Sequence, residues 1–389
     1  MSQRAPVLTR AFAMAWLASF AHGLAEHSYV HFSGFLEQLG ASSVVVGWAF
    51  SALAIAALAS RPFFGRLMDQ RGRRVLILIG GVVHVIACTT YLAIDRIGVW
   101  VYLARGLHGI AEGMLFSALF TFAADIVPEE RRTEGIALFG VSGLLPIAAA
   151  GALGDVIVLH WGYRALFLFT IAAAVGGLLL SLPLRDIAVD GNAEAPRGFM
   201  ATVREPLLLP VWLVGIATAT SLAAVFVFLK TYMLWAKSGQ VGIFFGAFSF
   251  AAVMLRVTLG WLPDRIGALR TLYPAAVVLV LGLILLALDA STPSLIASGM
   301  LVGIGHGFVF PILAGLVVSR ARPRERGAAM TIFTALFHVG ILIGGPCFGT
   351  IIDLAGYRVA YFTAGGMIVL GMVLFAWLDA RRELARAPG

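Results

Sequence analysis

The chain has 389 residues, of which 60% are hydrophobic and 12% charged, with a formal net charge of +8 and a mean hydropathy of +0.94. A water-soluble domain carries about 25% charged residues, and a soluble core cannot hide this much apolar surface, so lipid is the expected solvent. The basic residues are scattered over short loops and form no single patch. Neither lysine, Lys230 nor Lys237, follows a glycine, so a nucleic-acid binder and an ATPase with a phosphate-cradling loop are both excluded.

Arg4 and Arg10 precede an apolar run too long for a cleaved signal peptide, so it is expected to be the first membrane helix. Windows of about 20 apolar residues can cross a bilayer. Twelve such windows are predicted, at 11–36, 43–66, 75–94, 98–124, 134–158, 163–184, 207–235, 240–263, 271–289, 294–319, 327–352 and 357–378. The fold class expected is an all-α integral membrane protein with two six-helix bundles, 1–186 and 207–389. A polar cytoplasmic linker, 187–206, joins them. Of the 28 basic residues, 22 fall on loops of one side. Arg96, Arg164, Lys237 and Arg358 fall on the other, and Arg105 and Lys230 lie inside helices. By the positive-inside rule both termini are cytoplasmic. Cys88 and Cys347 lie in apolar runs of different halves, so neither a disulfide nor a metal-ligand spacing is expected.

The two halves repeat each other. Gly65, Asp69 and Gly72 recur 195 residues later as Gly260, Asp264 and Gly267. Pro128-Glu-Glu-Arg131 matches Pro323-Arg-Glu-Arg326, and Gly162-Tyr-Arg164 matches Gly356-Tyr-Arg358. Two parallel six-helix repeats are a transporter plan in which cargo binds near the bilayer midplane.

The segment Gly65-x-Leu67-x-Asp69-x-x-Gly72-Arg73-Arg74 resembles the signature loop of the major facilitator superfamily, with an echo at 260–270. Arg105-x-x-His108-Gly109 is similar to that family's Arg-x-x-Gln-Gly motif, with histidine in place of glutamine. The resemblance spans essentially the whole chain and is nearest to the bacterial drug and sugar efflux members, which are proton antiporters. Residues 140–151 carry glycines and a proline in a different spacing from the antiporter motif, while 340–349 come closer to it. The resemblance implies that Gly65, Asp69, Gly72, Arg73 and Asp125, with Asp264 and Arg265 in the second half, latch one conformation of a rocking cycle. Gly65 and Gly72 suit a tight turn.

Ionisable groups inside a membrane are costly and mark functional sites by default. His22, Glu26, Tyr29 and Ser33 share one face of the first helix, and Arg105, His108, Glu112 and Phe116 share one face of the fourth. His306 holds the repeat-equivalent place of Glu112, and His338 lies mid-way along the eleventh helix. Glu26, His22, Arg105, His108, Glu112, His306 and His338 are therefore the candidate proton-coupling and cargo residues. His27 and His31 point elsewhere and suit helix–helix hydrogen bonds. Lys230 suits snorkelling to the interface. His84 and His160 stand alone and receive no role.

The expected function is a proton-coupled secondary transporter in the bacterial inner membrane. It exports small amphiphilic compounds, acts as a monomer, and needs no cofactor or metal. A metal or metal-chelate carrier using the helical histidines, all but His160, is one alternative, and uptake of a small organic anion or sugar is another. No zinc-protease motif or nucleophile turn appears, so an enzyme is not expected.

Overall fold

The computed structural model describes residues 6–128, 131–186, 199–238, 240–322 and 325–386, without the side chains of 66, 69, 132–134, 137 and 381–386. The linker segment 187–198 and parts of the 128–131 and 323–326 match lie outside the described residues. All regular elements among the described residues are helices.

The first span begins where Thr9 Oγ1 accepts the amide of Phe12, 3.2 Å away, and satisfies a free helix-start donor. It runs Arg10–Ser28, tightens into a 3-10 turn at Tyr29–His31 and resumes as Phe32–Gln38. The predicted uninterrupted helix over 11–36 is thus corrected. Ser43–Arg71, Arg73–Thr90 and Val99–Ile126 form the second to fourth spans. Gly162 divides the helical path Arg132–Ser181 into the fifth and sixth. The seventh to tenth are Leu209–Trp235, Val241–Leu259, Ala268–Leu288 and Thr292–Arg320. Gly356 divides Arg326–Arg386 into the eleventh and twelfth. These are the twelve predicted spans. Nine continuous paths among the described residues are long and apolar enough to cross a bilayer, two of them split by those glycines. The first span is the remaining one, and His22, Glu26 and His27 lower its hydropathy.

The duplication survives as backbone geometry. Gly72 (φ 85°) and its twin Gly267 (φ 102°) end a helix, as do Gly162 (φ 76°) and its twin Gly356 (φ 83°). A side chain would be strained at such angles. Close helix approach repeats as well. A Cβ on Gly109 would sit 2.1 Å from Leu53 O, and one on Gly303 would sit 2.3 Å from Phe248 O. Small residues let membrane helices approach backbone to backbone, where lipid supplies no hydrophobic drive.

The region 61–74 departs from its reading as a glycine-hinged loop. The second span stays helical through Pro62 and on to Arg71, and only Gly72 breaks it. Charge moves a helix out of lipid but does not unwind it; a positive-φ residue does. Gly65 is therefore helical, and the side chain of Asp69 lies outside what is described. In the second half the helix stops at Leu259, and a short helix, Leu262–Ile266, precedes Gly267.

Packing divides the chain into two units, one of residues 1–41, 52–191 and 240–246, the other of 42–51, 192–239 and 247–389. In the first, Phe12, Ala15 and Ala18 pack with Leu76, Leu119 and Phe122. There Asp155 Oδ2 accepts Gly242 N at 2.7 Å. In the second, Asp353 accepts Ser43 N at 2.9 Å and Val44 N at 3.1 Å. Each carboxylate thus meets amides in the first turn of a helix, where the helix dipole favours negative charge.

Candidate transport site

The first unit buries a chain of polar side chains between the first, third and fourth spans. Arg105 is 2% exposed. Its Nη1 donates to Tyr91 Oη at 3.3 Å, and Tyr91 Oη lies 3.1 Å from His108 Nδ1. Arginine can only donate, so Tyr91 accepts from it. The direction of the Tyr91–His108 bond follows whichever His108 nitrogen carries the proton. Nε2 faces two partners, Glu26 Oε2 at 2.6 Å and His84 Nε2 at 3.1 Å. His84 Nδ1 in turn meets His22 Nδ1 at 3.0 Å.

The guanidinium of Arg105 also lies 5.9 Å from the Tyr29 ring centre and 5.6 Å from that of Phe32. Aromatic faces attract a cation, and more so away from water. The 3-10 turn brings Tyr29 into this group. Its ring is 4.3 Å from Tyr91 and 4.6 Å from His108, and its hydroxyl is 3.1 Å from Thr170 Oγ1 in the sixth span.

Of the candidates in this unit, His22, Glu26, Arg105 and His108 come together. Glu112 is half-buried, one turn beyond His108 on the same helix. Its charge acts electrostatically on Arg61, His27 and Arg105. Ser33 is engaged locally, donating to Val30 O at 3.1 Å, and Phe116 is exposed. His31 makes the expected helix–helix hydrogen bond, with Nε2 3.2 Å from Gly151 O. His160 is helical, unlike the reading that set it apart, and is exposed, with Nδ1 2.9 Å from Val156 O.

His84 is the residue that sequence reasoning missed. It was given no role, yet it is 2% exposed and bridges His22 and His108. The signal was its spacing: His84, Cys88 and Tyr91 follow at four and three residues, one polar face on an apolar helix. His84, Cys88 and His108 offer donor atoms that all lie within 4.8 Å of one another.

In the second unit His306 lines an apolar recess with Gly215, Thr218, Phe310, Phe333 and Phe337. Its ring stands 5.8 Å from both Phe248 and Phe310. His306 Nδ1 and Thr218 Oγ1 are buried without a hydrogen-bond partner among the described residues. The recess has a volume of about 30 Å³, room for about one water, and shows an apolar lining with two unpartnered polar atoms. His338 is 5% exposed on the eleventh span. Lys230 is 4% exposed, which corrects the snorkelling expectation, because neighbouring helices cover it.

At the Gly72 break, Arg73 Nε meets Asp125 Oδ2 at 2.8 Å, and Asp186 Oδ1 accepts Arg74 N at 2.8 Å. The second half arranges its charges differently. Asp264 and Arg265 are exposed, and Arg265 lies 5.5 Å from the Trp261 ring. Arg320 takes Asp379 at 2.8 Å instead.

A family model described as Major Facilitator Superfamily matches residues 11–282 and again 211–388. The chain belongs to that superfamily. It is a multi-pass membrane transporter of small molecules and not an enzyme. It is 26% identical over 374 residues to the uncharacterized MFS-type transporter YhhS of Escherichia coli (strain K12), covering 92% of this chain and 88% of that protein. Among solved structures it resembles the nucleoside transporter NupG, with a TM-score of 0.79 and 14% identity over 95% of this chain and 99% of that one. The POT family transporter PepTSo aligns with a TM-score of 0.80 and 11% identity over 97% and 99% of the two chains. At these identities the structures share the superfamily fold.

Proposed function

We propose that this transporter is a proton-coupled antiporter that exports small amphiphilic organic compounds by alternating access. It works as a monomer in the bacterial inner membrane with both termini in the cytoplasm. The two six-helix halves, 1–186 and 207–389, are its moving bodies. The observation that carries the cargo class is the aromatic recess around His306, whose two unpartnered polar atoms suit, once alternating access widens it, a ligand with an apolar body and a polar edge. Glu112, half-buried near the middle of the fourth span, is the proton carrier of this reading. A membrane carboxylate is costly when charged and inexpensive when protonated, so its loading can follow the face to which the cavity opens. The basic loops support the orientation.

Proteoliposomes with an imposed pH gradient test the reading. A panel of amphiphilic amines, aromatic drugs and, because of the NupG likeness, nucleosides is offered to wild type and to Glu112→Gln. Gradient-driven movement of at least one compound with counter-flow of protons is expected, and Glu112→Gln abolishes it. Gradient-driven accumulation in the same direction as proton entry supports uptake instead.

A further inference from the structure

We propose that His84, Cys88 and His108 form a zinc site resident in the first unit, independent of cargo and coupling. Three facts of geometry carry it. One donor atom from each residue lies within 4.8 Å of the other two, and the two Nε2 atoms are 3.1 Å apart. Tetrahedral Zn2+, with bonds of about 2.0–2.1 Å to nitrogen and 2.3 Å to sulfur, has donor–donor edges of about 3.3–3.6 Å. Small rotamer shifts convert one arrangement into the other.

The opposite ring nitrogen of each histidine is already held. His108 Nδ1 is 3.1 Å from Tyr91 Oη, and His84 Nδ1 is 3.0 Å from His22 Nδ1. Zinc-binding histidines need such an outer partner to fix ring orientation and tautomer. With zinc on Nε2, His108 carries its proton on Nδ1 and donates to Tyr91 Oη, whose two lone pairs can accept from Arg105 and His108 together. His84 keeps its own on Nδ1 and donates to His22. Only Cys88 must release a proton to solvent to become a thiolate.

The ligand set selects the metal. Two imidazoles and a thiolate suit borderline-soft Zn2+ and disfavour Mg2+ and Ca2+, which seek oxygen. Glu26 Oε2, 2.6 Å from His108 Nε2, stands beside the fourth position. The Cys88 thiolate and the Glu26 carboxylate together offset the ion's charge beside Arg105. The ligands also mark the metal as a resident and not a cargo. His84 is 2% exposed, and Cys88 and His108 are 0% exposed, within one helical unit. A cargo site must open to water, whereas three buried protein ligands with Glu26 as the fourth make up the four-coordinate set of a structural site.

The full-length protein is expressed in medium supplemented with zinc or cobalt and purified in detergent without chelator. Elemental analysis is expected to find about one zinc per chain in wild type. Under about a tenth of that is expected in Cys88→Ser and in His84→Gln, and an unchanged level in the surface variant His160→Gln. The cobalt form of wild type is expected to show a thiolate-to-cobalt charge-transfer band, which requires no variant to fold. Zinc content equal in wild type and in monodisperse Cys88→Ser overturns the proposal. So does cobalt protein lacking the band.

Discussion

Glu26 Oε2 of the first span lies 2.6 Å from His108 Nε2 of the fourth. His108 is fully buried, and Glu26 retains 19% side-chain exposure. The carboxylate therefore closes a polar chain that starts at Arg105 and passes through Tyr91. Glu26 Oε2 has no geometrically formed hydrogen bond among the described residues, so the contact is a carboxylate–imidazole proximity, and a part-exposed pair of this kind contributes up to about 1 kcal/mol. Glu26→Gln keeps the shape and loses the charge. It is expected to lower stability by up to that amount, read as a lower unfolding temperature in detergent.

Arg105 anchors the same chain from the other end. Removing one member of a buried charged network costs about 3–5 kcal/mol because its partners stay buried without compensation. Arg105→Met is expected to cost about that much. Arg105→Lys retains the charge but loses the planar contact with Tyr29 and Phe32, so a smaller loss is expected. Equal unfolding temperatures for Lys and Met variants would contradict the cation–aromatic part of this account.

Gly109 and Gly303 hold equivalent close approaches in the two halves, against Leu53 O and Phe248 O. A methyl group at either forces backbone atoms apart, and overpacking of this kind costs about 1–3 kcal/mol. Both alanine variants are expected to unfold at lower temperature. Gly140, with nothing within 4 Å of a built Cβ, is the matched control and should tolerate alanine.

The pair of Arg73 and Asp125 is 20% and 25% exposed. Such a pair contributes at most about 1 kcal/mol to stability. If it latches one conformation, its loss changes turnover more than folding. Arg73→Ala is expected to leave the unfolding temperature within about 2 °C and to alter the transport rate severalfold. The exchange Arg73→Asp with Asp125→Arg should restore the rate, and a double variant as impaired as the singles would count against the latch.

The fold was legible because lipid imposes a length. A bilayer needs about 20 apolar residues per crossing, and the duplicated glycines Gly72 and Gly267, or Gly162 and Gly356, mark where helices break. The continuation of the second span to Arg71 was not legible, because hydropathy reports where lipid ends and not where a helix ends. The shared faces of the first and fourth spans pointed to Glu26, Arg105 and His108. His84 escaped because it was judged alone and not with Cys88 and Tyr91 on its own face. The amide contacts of Asp155 and Asp353 join residues far apart in the chain, and no local pattern announces them.

The central claim is that transport is driven by protons carried on Glu112. Its most direct test is proton flux into proteoliposomes, followed with a trapped pH indicator while an amphiphilic cargo is offered under an imposed gradient. The account expects cargo-dependent proton movement in wild type and none in Glu112→Gln, which should still exchange labelled for unlabelled cargo. Cargo-dependent proton movement that persists undiminished in Glu112→Gln, or that is missing from an actively transporting wild type, would contradict it.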